Sequence, residues 1–393
     1  MFFLTLPLLL GCTAAPTPLT AATPAMERLP LQGVSTDQLP RGLAKDEQLW
    51  KKVNGQKGDY KALLTAIDHS LAYLGTDKAQ KDYQNYPVPG FSRGRVILSL
   101  QRFRQLVVQA KSPVALEAAV KREFQFYQSV GNDQKGNVDF TGYYEATYPA
   151  SRKPTAEFRY PLYQAPADLK EWPNPHPTRA ALEGSDGLQG SQGPLKGLEL
   201  VWLRDRLQAF LVQVQGSARL GITDGTEMTV GYAGKTAHPY TSIGKALVED
   251  GKFTLEELSL PVLIQYFQEN PQDLDHYIPK NKSFVFFRET FGSPPTGNLS
   301  VPVTDERSIA TDKSIMPPGA LALIRTDLPY YNANQTLEFQ RVSRFVLDHD
   351  TGSAIKGPGR VDIFMGTGDK AKARAGVMTG SGQLYYLLLK ENP

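Results

Sequence analysis

Two aspartates, Asp350 and Asp362, are the side chains best spaced to do chemistry. They bound the run Asp350-Thr-Gly-Ser-Ala-Ile-Lys-Gly-Pro-Gly-Arg-Val-Asp362-Ile-Phe364, with Lys356 and Arg360 between them. Gly352, Gly357, Pro358 and Gly359 break regular structure, so the run reads as a loop joining two strands with a carboxylate near each strand end. Carboxylates brought together in this way push each other's pKa apart, leaving one protonated and able to act as an acid. A solvated turn carrying surface charges is the plainer reading of the same spacing.

Simpler motifs overlap this region and carry less. Asp350-Thr-Gly-Ser matches the aspartic-protease signature, but that chemistry needs two aspartates sharing a proton, hence two copies in one chain; a single copy is present. Gly366-Thr-Gly368-Asp-Lys-Ala371 has dinucleotide-type spacing without a surrounding βαβ unit. Gly216-Ser217 lacks the second flanking glycine of a nucleophile elbow. The single cysteine, Cys12, excludes a disulfide framework, a thiolate zinc site and an iron–sulfur cluster. Five scattered histidines (69, 176, 238, 276, 349) and no HExxH argue against a metal, and no cofactor is expected. With 43 Lys plus Arg against 40 Asp plus Glu the chain is nearly balanced, so no nucleic-acid partner is expected.

A chain of 393 residues, 41% apolar and 21% charged, suggests two globular domains. Residues 1–12 open with the apolar stretch Phe2 to Leu10, too short to span a bilayer as a helix. The stretch ends Leu9-Leu10-Gly11-Cys12, which resembles a bacterial lipobox, with Cys12 as the lipidated residue; an inert cysteine in a cleaved signal is the alternative. Residues 13–40, rich in Ala, Thr and Pro, read as a flexible tether. From 41 to 130 the pattern is helical: Leu63, Ile67, Leu71 and Leu74 form one stripe, and Val96, Leu100, Phe103 and Val107 another. A further helix opens at Ser112-Pro113, with Leu116, Val120, Phe124 and Tyr127 on one face. From 138 the texture is that of strands, at 199–203, 209–215 and 228–232, in a small barrel or sandwich. Helices follow at 241–250 and 254–268, the second opened by a Thr254/Glu257 capping box. Strands return at 283–287, 320–324, 343–347, 361–364 and 384–388.

The motifs together resemble one family, the membrane-bound lytic murein transglycosylase A (MltA) family. Asp350 to Phe364 resembles its C-terminal 3D (three-aspartate) domain motif. Phe140-Thr-Gly-Tyr-Tyr-Glu145 and Asn281-Lys-Ser-Phe-Val-Phe-Phe-Arg288 resemble two more of its segments. So do Gln215-Gly-Ser-Ala-Arg219, with Ala218 where glycine is usual, and Gly231 to Tyr240, with Thr236 and Ala237 departing. Ile309-Ala-Thr-Asp312 with Ile315-Met-Pro-Pro-Gly319 resembles the first aspartate segment. The resemblance runs over roughly residues 50 to 392.

The resemblance implies a mainly β fold with N-terminal helices. A double-psi β-barrel domain is expected from 41–137 and 241–393, with a smaller β-barrel-like domain inserted at 138–240 and a groove between them. It implies non-hydrolytic cleavage of the MurNAc–GlcNAc β-1,4 bond of peptidoglycan, yielding 1,6-anhydromuropeptides. Asp362 is then the general acid that becomes the base, and Asp350 the neighbour that keeps it protonated and oriented. Asp312 is a structural third aspartate and Lys356 a supporting loop residue. A cation against the acid lowers its pKa, so neither Lys356 nor Arg360 is expected to touch Asp362. Tyr143, Gln213, Gln215, Ser217 and Tyr240 are the expected saccharide contacts. The implied partner is the peptidoglycan glycan strand, met from a lipid anchor on Cys12 at the periplasmic side of the outer membrane. A non-catalytic peptidoglycan-binding lipoprotein is the reading from a different class.

Overall fold

Residues 29–50 and 58–391 are described by the computed structural model. Cys12, the segment before it and the first part of the expected tether lie outside the described residues. Four helices lead the N-terminal half: α1 (Tyr60–Leu74), α2 (Asp77–Gln84), α3 (Arg93–Gln109) and α4 (Pro113–Glu123). Thr76, Ser92 and Ser112 each accept a hydrogen bond from the N–H three residues on, which satisfies an orphan donor of the first turn. The predicted stripes of α1 and α3 face inward, with Leu63, Ile67, Val96, Leu100, Phe103 and Val107 buried.

Two short strands bracket these helices, β1 (Leu31–Val34) and β2 (Phe124–Ser129), and they pair antiparallel. Both depart from the sequence expectation. The tether reading stops short of residue 40, because Leu31–Val34 is hydrogen-bonded into a sheet. Phe124 and Tyr127 are not on the α4 face: the helix ends at Glu123, and the aromatic run Phe124-Gln-Phe-Tyr alternates into the sheet instead.

The barrel is built from β3 (Val138–Ser151), β9 (Ser308–Ala310), β10 (Leu321–Tyr331), β11 (Leu337–Asp350), β12 (Arg360–Thr367) and β13 (Thr379–Leu389). Each strand pairs with the next in the order β13-β10-β11-β9-β12-β3, and β3 pairs back to β13, so the ring closes on six strands. A helix, α10 (Asp369–Val377), packs on β3 and β12. It does so at Gly142, where a Cβ would meet the Ala375 Cα at 3.0 Å. Closure leaves the ring without free edges; Phe140, Ile309, Ile324, Val346, Val361 and Leu384 share one face of it, Leu323 and Phe345 the other, where the Phe345 ring lies 4.7 Å from that of Phe103 of α3, and all are fully buried.

The far half of β3 leaves this ring and enters a second one. It pairs with β6 (Ser217–Ile222) and β5 (Glu199–Leu203), which extend to β7 (Glu227–Lys235), β8 (Val285–Glu289) and β4 (Tyr160–Tyr163). A Gln164–Phe287 bridge links the β4 and β8 ends. This second sheet reaches β8 and so passes beyond the 138–240 range read from sequence. Between its strands lie α5 (Arg179–Glu183), α6 (Arg206–Gln215), α7 (Ile243–Glu249), α8 (Leu260–Glu269) and α9 (Leu274–Tyr277).

Two local readings are corrected here. Residues 209–215, expected as a strand, lie in α6, which Asp205 caps and Gly216 ends in the left-handed region at φ 81°. Leu207, Phe210 and Leu211 then fall on one buried helical face. The Thr254/Glu257 box does form, each residue bonding the other's backbone N–H. It closes only a turn, because α8 starts at Leu260 under a Ser259 cap with Pro261 in its first turn.

Beneath the barrel lies a buried charge network. The Arg307 guanidinium donates to Asp59 Oδ2 at 2.9 Å and pairs with Asp46. Arg344 bridges Asp59 and Glu306, and Arg374 meets Glu306 at 2.6 Å. Tyr330 donates its hydroxyl to Glu306 at 2.9 Å. Burial alone would raise the Glu306 carboxyl, but Arg344 and Arg374 hold it down at about 2. Removing one member strands a buried charge. Arg344→Met should therefore cost about 3–5 kcal/mol, read as a lower denaturant midpoint; a loss below about 1 kcal/mol would show the network to be dispensable.

Candidate active site

Strand β9 is three residues long, and its last residue, Ala310, organises the site. Ala310 pairs in parallel with Asp350 of β11 and antiparallel with Asp362 of β12. Residues in register on adjacent strands point to the same face, so both aspartates project together across two strand spacings, with Cα atoms about 10 Å apart. On the other side of β12, Asp362 is in register with Thr141 of β3. The order across the face is Asp350, Ala310, Asp362, Thr141.

Among the described residues Asp362 accepts from Thr141 Oγ1 at 2.9 Å and from the Ile363 N–H. Burial pushes its carboxyl up, and the Asp350 charge adds to this; the Thr141 bond and the Arg360 charge oppose it, and the balance is about 6. Asp350 is held by three donors: Tyr143 Oη–H at 3.0 Å on Oδ2, and the Asn298 and Thr351 N–H groups, both at 2.8 Å on Oδ1. Burial raises its carboxyl despite these bonds. Asp350 thus faces Asp362 across β9 without bonding it, and the side chain that holds the Asp362 carboxyl is Thr141. Thr141 was missed in the sequence reading, although it lies inside the quoted motif Phe140 to Glu145.

The third aspartate, Asp312, is a loop clasp. It accepts from Ser314 Oγ at 2.7 Å and from the Gly357 N–H at 2.9 Å, and so ties the β9–β10 connection to the loop between the two site aspartates. Burial works against its charge, but these bonds and the nearby Lys356 hold its carboxyl below the usual value. Lys356 itself is exposed. Arg360 reaches Thr141 Oγ1 through Nη2 at 3.3 Å and has no ion pair with Asp362.

A fourth aspartate, Asp348, lies behind the site. It accepts from Thr311 Oγ1 and Tyr386 Oη, both at 2.7 Å, and pairs with Lys313, whose Nζ also donates to the Asp350 carbonyl. Its position two residues before Asp350 suggests a shared face, but a bulge separates the two. His349 points the other way, between Ser70 Oγ at 2.9 Å and Ser308 Oγ at 2.8 Å.

The five expected saccharide contacts divide. Tyr143 belongs to the site through Asp350, with its ring 5.2 Å from that of Phe364. Gln213 is buried instead, its Oε1 accepting from Arg179 Nη2 at 2.7 Å and from the Val285 N–H at 3.1 Å. Gln215 Oε1 accepts from the Tyr144 N–H at 3.0 Å and fastens the end of α6 to β3. Both were read as alternate residues of a strand; on a helix they are not equivalent, and each braces the scaffold. Ser217 opens β6, half-buried opposite Gly231. Tyr240 sits beside Ser242 and Arg179, and burial raises its phenol. His238 is a turn residue bonded to the His176 carbonyl at 2.7 Å. Thr236 is fully buried and accepts from the Phe284 N–H at 3.0 Å, so its departure from the motif serves the local fold.

Comparisons with known proteins meet this geometry. Residues 139–288 match the model of the MltA specific insert domain, and residues 307–388 match that of the 3D domain. The insert match reaches Arg288, within β8, as the pairing of the second sheet does. The membrane-bound lytic murein transglycosylase A of Vibrio cholerae is 31% identical over 297 residues, 75% of this chain and 76% of that protein. Its Escherichia coli K12 namesake is 32% identical over 263 residues, 66% and 68% of the two chains. Among solved structures, E. coli MltA with bound chitohexaose superposes with a TM-score of 0.68 at 25% identity, covering 92% of this chain and 94% of that one. The membrane-bound lytic murein transglycosylase of Agrobacterium tumefaciens shares the fold, with a TM-score of 0.69 at 24% identity over 91% and 97% of the chains. With both domain models matched in order and a relative 31% identical over 76% of its length, the chain belongs to the membrane-bound lytic murein transglycosylase A family.

Proposed function

We propose that this protein cleaves the MurNAc–GlcNAc β-1,4 bond of peptidoglycan without water, leaving 1,6-anhydromuropeptides. The observation that carries the reading is the unequal state of the two site carboxylates. Asp362 has its carboxyl pushed up to about 6 and is engaged by the Thr141 hydroxyl and the Ile363 N–H, whereas Asp350 is engaged on both oxygens by the Tyr143 hydroxyl and two backbone N–H groups. A hydrolase needs a second free carboxylate as nucleophile or base. Asp350 is too occupied for either role, so the acid works alone. Asp362 protonates the leaving oxygen, the sugar's own 6-hydroxyl attacks the anomeric carbon, and the Asp362 carboxylate then takes that hydroxyl's proton.

The wider reading follows the family. The six-stranded ring is a double-psi barrel, the second sheet is the inserted domain, and the glycan lies in the groove between them, as the chitohexaose complex of the E. coli relative supports. Tyr143, Ser217 and Tyr240 are the retained candidates for saccharide contact. Cys12 carries the lipid that tethers the enzyme to the periplasmic side of the outer membrane. A non-catalytic wall-binding role is the outcome if sacculi are bound and nothing is released.

The direct test is digestion of purified sacculi by a chain lacking residues 1–12, with mass spectrometry of the soluble products. Anhydro products, about 18 Da lighter than hydrolysis products, are expected; reducing-end products would overturn the mechanism. Asp362→Asn should abolish release. Because the folded carboxyl is raised above its unfolded value of 3.8, ionisation between pH 4 and about 6 works against the fold, a cost of about 3 kcal/mol at pH 7. The Asn chain should then melt at or above the parent at pH 7, and a large drop would mean that Asp362 is structural.

The pH profile has a definite sign. The acid must start protonated, so kcat/KM falls as pH rises through about 6. Thr141→Val removes a bond that favours the charged form, and should move this alkaline limb to higher pH. A limb that stays in place would show that another group titrates.

A further inference from the structure

We propose that Arg360 is the receptor for a carboxylate carried by the wall glycan beside the scissile bond, and that it selects muramyl-containing strands over uncharged ones. The inference rests on the glycan reading of the site given above. Arg360 opens β12 in register with Asp139 of β3, as Asp362 is with Thr141. Alternation along the strand puts Arg360 and Asp362 on one face, about 7 Å apart along the strand. The guanidinium donates to Thr141 Oγ1 at 3.3 Å, and Thr141 donates to Asp362 at 2.9 Å. The cation is therefore two hydrogen bonds from the acid.

Most of its donors are unused. A guanidinium has five N–H groups, and this one makes a single side-chain hydrogen bond among the described residues, while its Nε is buried with no partner. Asp139, the carboxylate in register, accepts instead from Asn132 Nδ2 at 2.8 Å. On the far side of β3, strand β13 brings only Ser381 and Thr379 into register with Asp139 and Thr141. Lys356, in the preceding loop, is of the same sign.

An unpaired guanidinium is a poor neighbour for a carboxyl that must hold its proton, since it draws the acid toward its ionised form. A planar carboxylate docked on the fork resolves this. It takes the free N–H groups of the two Nη atoms in bidentate geometry, leaving the buried Nε covered, and offsets the charge felt by Asp362. Muramyl residues carry such a group on their lactyl ether when the strand is free of peptide, and on the stem peptide when it is not. A chitin-type oligomer carries hydroxyl and acetamido groups but no carboxylate.

The test measures binding to the Asp362→Asn chain, which holds its ligand uncut, alone and combined with Arg360→Gln or Arg360→Lys. Four ligands are compared: a peptide-free muramyl oligomer, its lactyl methylamide, a peptide-bearing strand and chitohexaose. The peptide-free oligomer or the peptide-bearing strand should bind at least about tenfold tighter than chitohexaose, the worth of one charge-assisted pair. Arg360→Gln should collapse that ratio toward one. Preference for the free lactyl group over its methylamide places the carboxylate on the lactyl ether; preference for the peptide-bearing strand alone places it on the stem. A ratio unchanged in Arg360→Gln, or equal losses for charged and neutral ligands, would overturn the proposal. If the Gln chain does not melt cooperatively, Arg360→Lys decides: it keeps the charge but loses the fork, and an undiminished ratio sinks the idea. Failure of the cleavage reading shows separately, as sacculi from which the parent chain releases no anhydro product.

Discussion

The pairing of Ala310 with two aspartates at once is the constraint on which the site depends. A strand of three residues lies between β11 and β12 and keeps Asp350 and Asp362 on one face without letting them touch. Were the strands adjacent, the two carboxylates would compete for one proton and one space. At two strand spacings, the Asp350 charge reaches Asp362 and its lone pairs do not. Burial raises the Asp362 carboxyl, and the Asp350 charge adds to it, against the hydroxyl of Thr141, the cation of Arg360 and the Ile363 N–H.

Other features serve to hold β9 in place. Asp312 clasps the chain just after it to the loop that precedes β12. Thr311 and Lys313 run into Asp348, which Tyr386 of β13 also reaches. Arg307, one residue before β9, is anchored to Asp59 and Asp46 from the N-terminal segment. The segment that leads into α1 thus gives the short strand a fixed end. A buried ion network is weak evidence for stability in itself; here its position suggests that what it supplies is register.

Much of this was legible in the residues. The breakers between Asp350 and Asp362 correctly announced a loop between strands, and Ser112-Pro113 announced a helix start. The failures have physical causes. Gln213 and Gln215 looked like exposed alternate positions because Val212 and Val214 favour strands, yet the Asp205 cap and the Gly216 stop define a helix. Tertiary burial of Leu207, Phe210 and Leu211 then outweighs that local preference. Phe124 extended a helical stripe on paper because helix and strand periods coincide over so short a run. The role of Thr141 depends on parallel pairing with a strand more than two hundred residues away, which no local pattern encodes.

Strand β3 has a mechanical meaning as well. Its fourteen residues are a stave in both rings, with pairing from Val138 to Glu145 in one and from Ala146 to Ser151 in the other. Two bodies joined by a long linker can move freely; two bodies sharing a stave can change their angle only where the strand passes from one ladder to the other, around Tyr144 and Glu145. A polymer lying across both would meet two surfaces whose mutual angle is set by that short stretch of one strand. Adaptation to a stretched or crooked substrate would then concentrate at this crossover and in the loops at the rim, so that a pull on one ring is felt first in the strand that carries Thr141 and Tyr143.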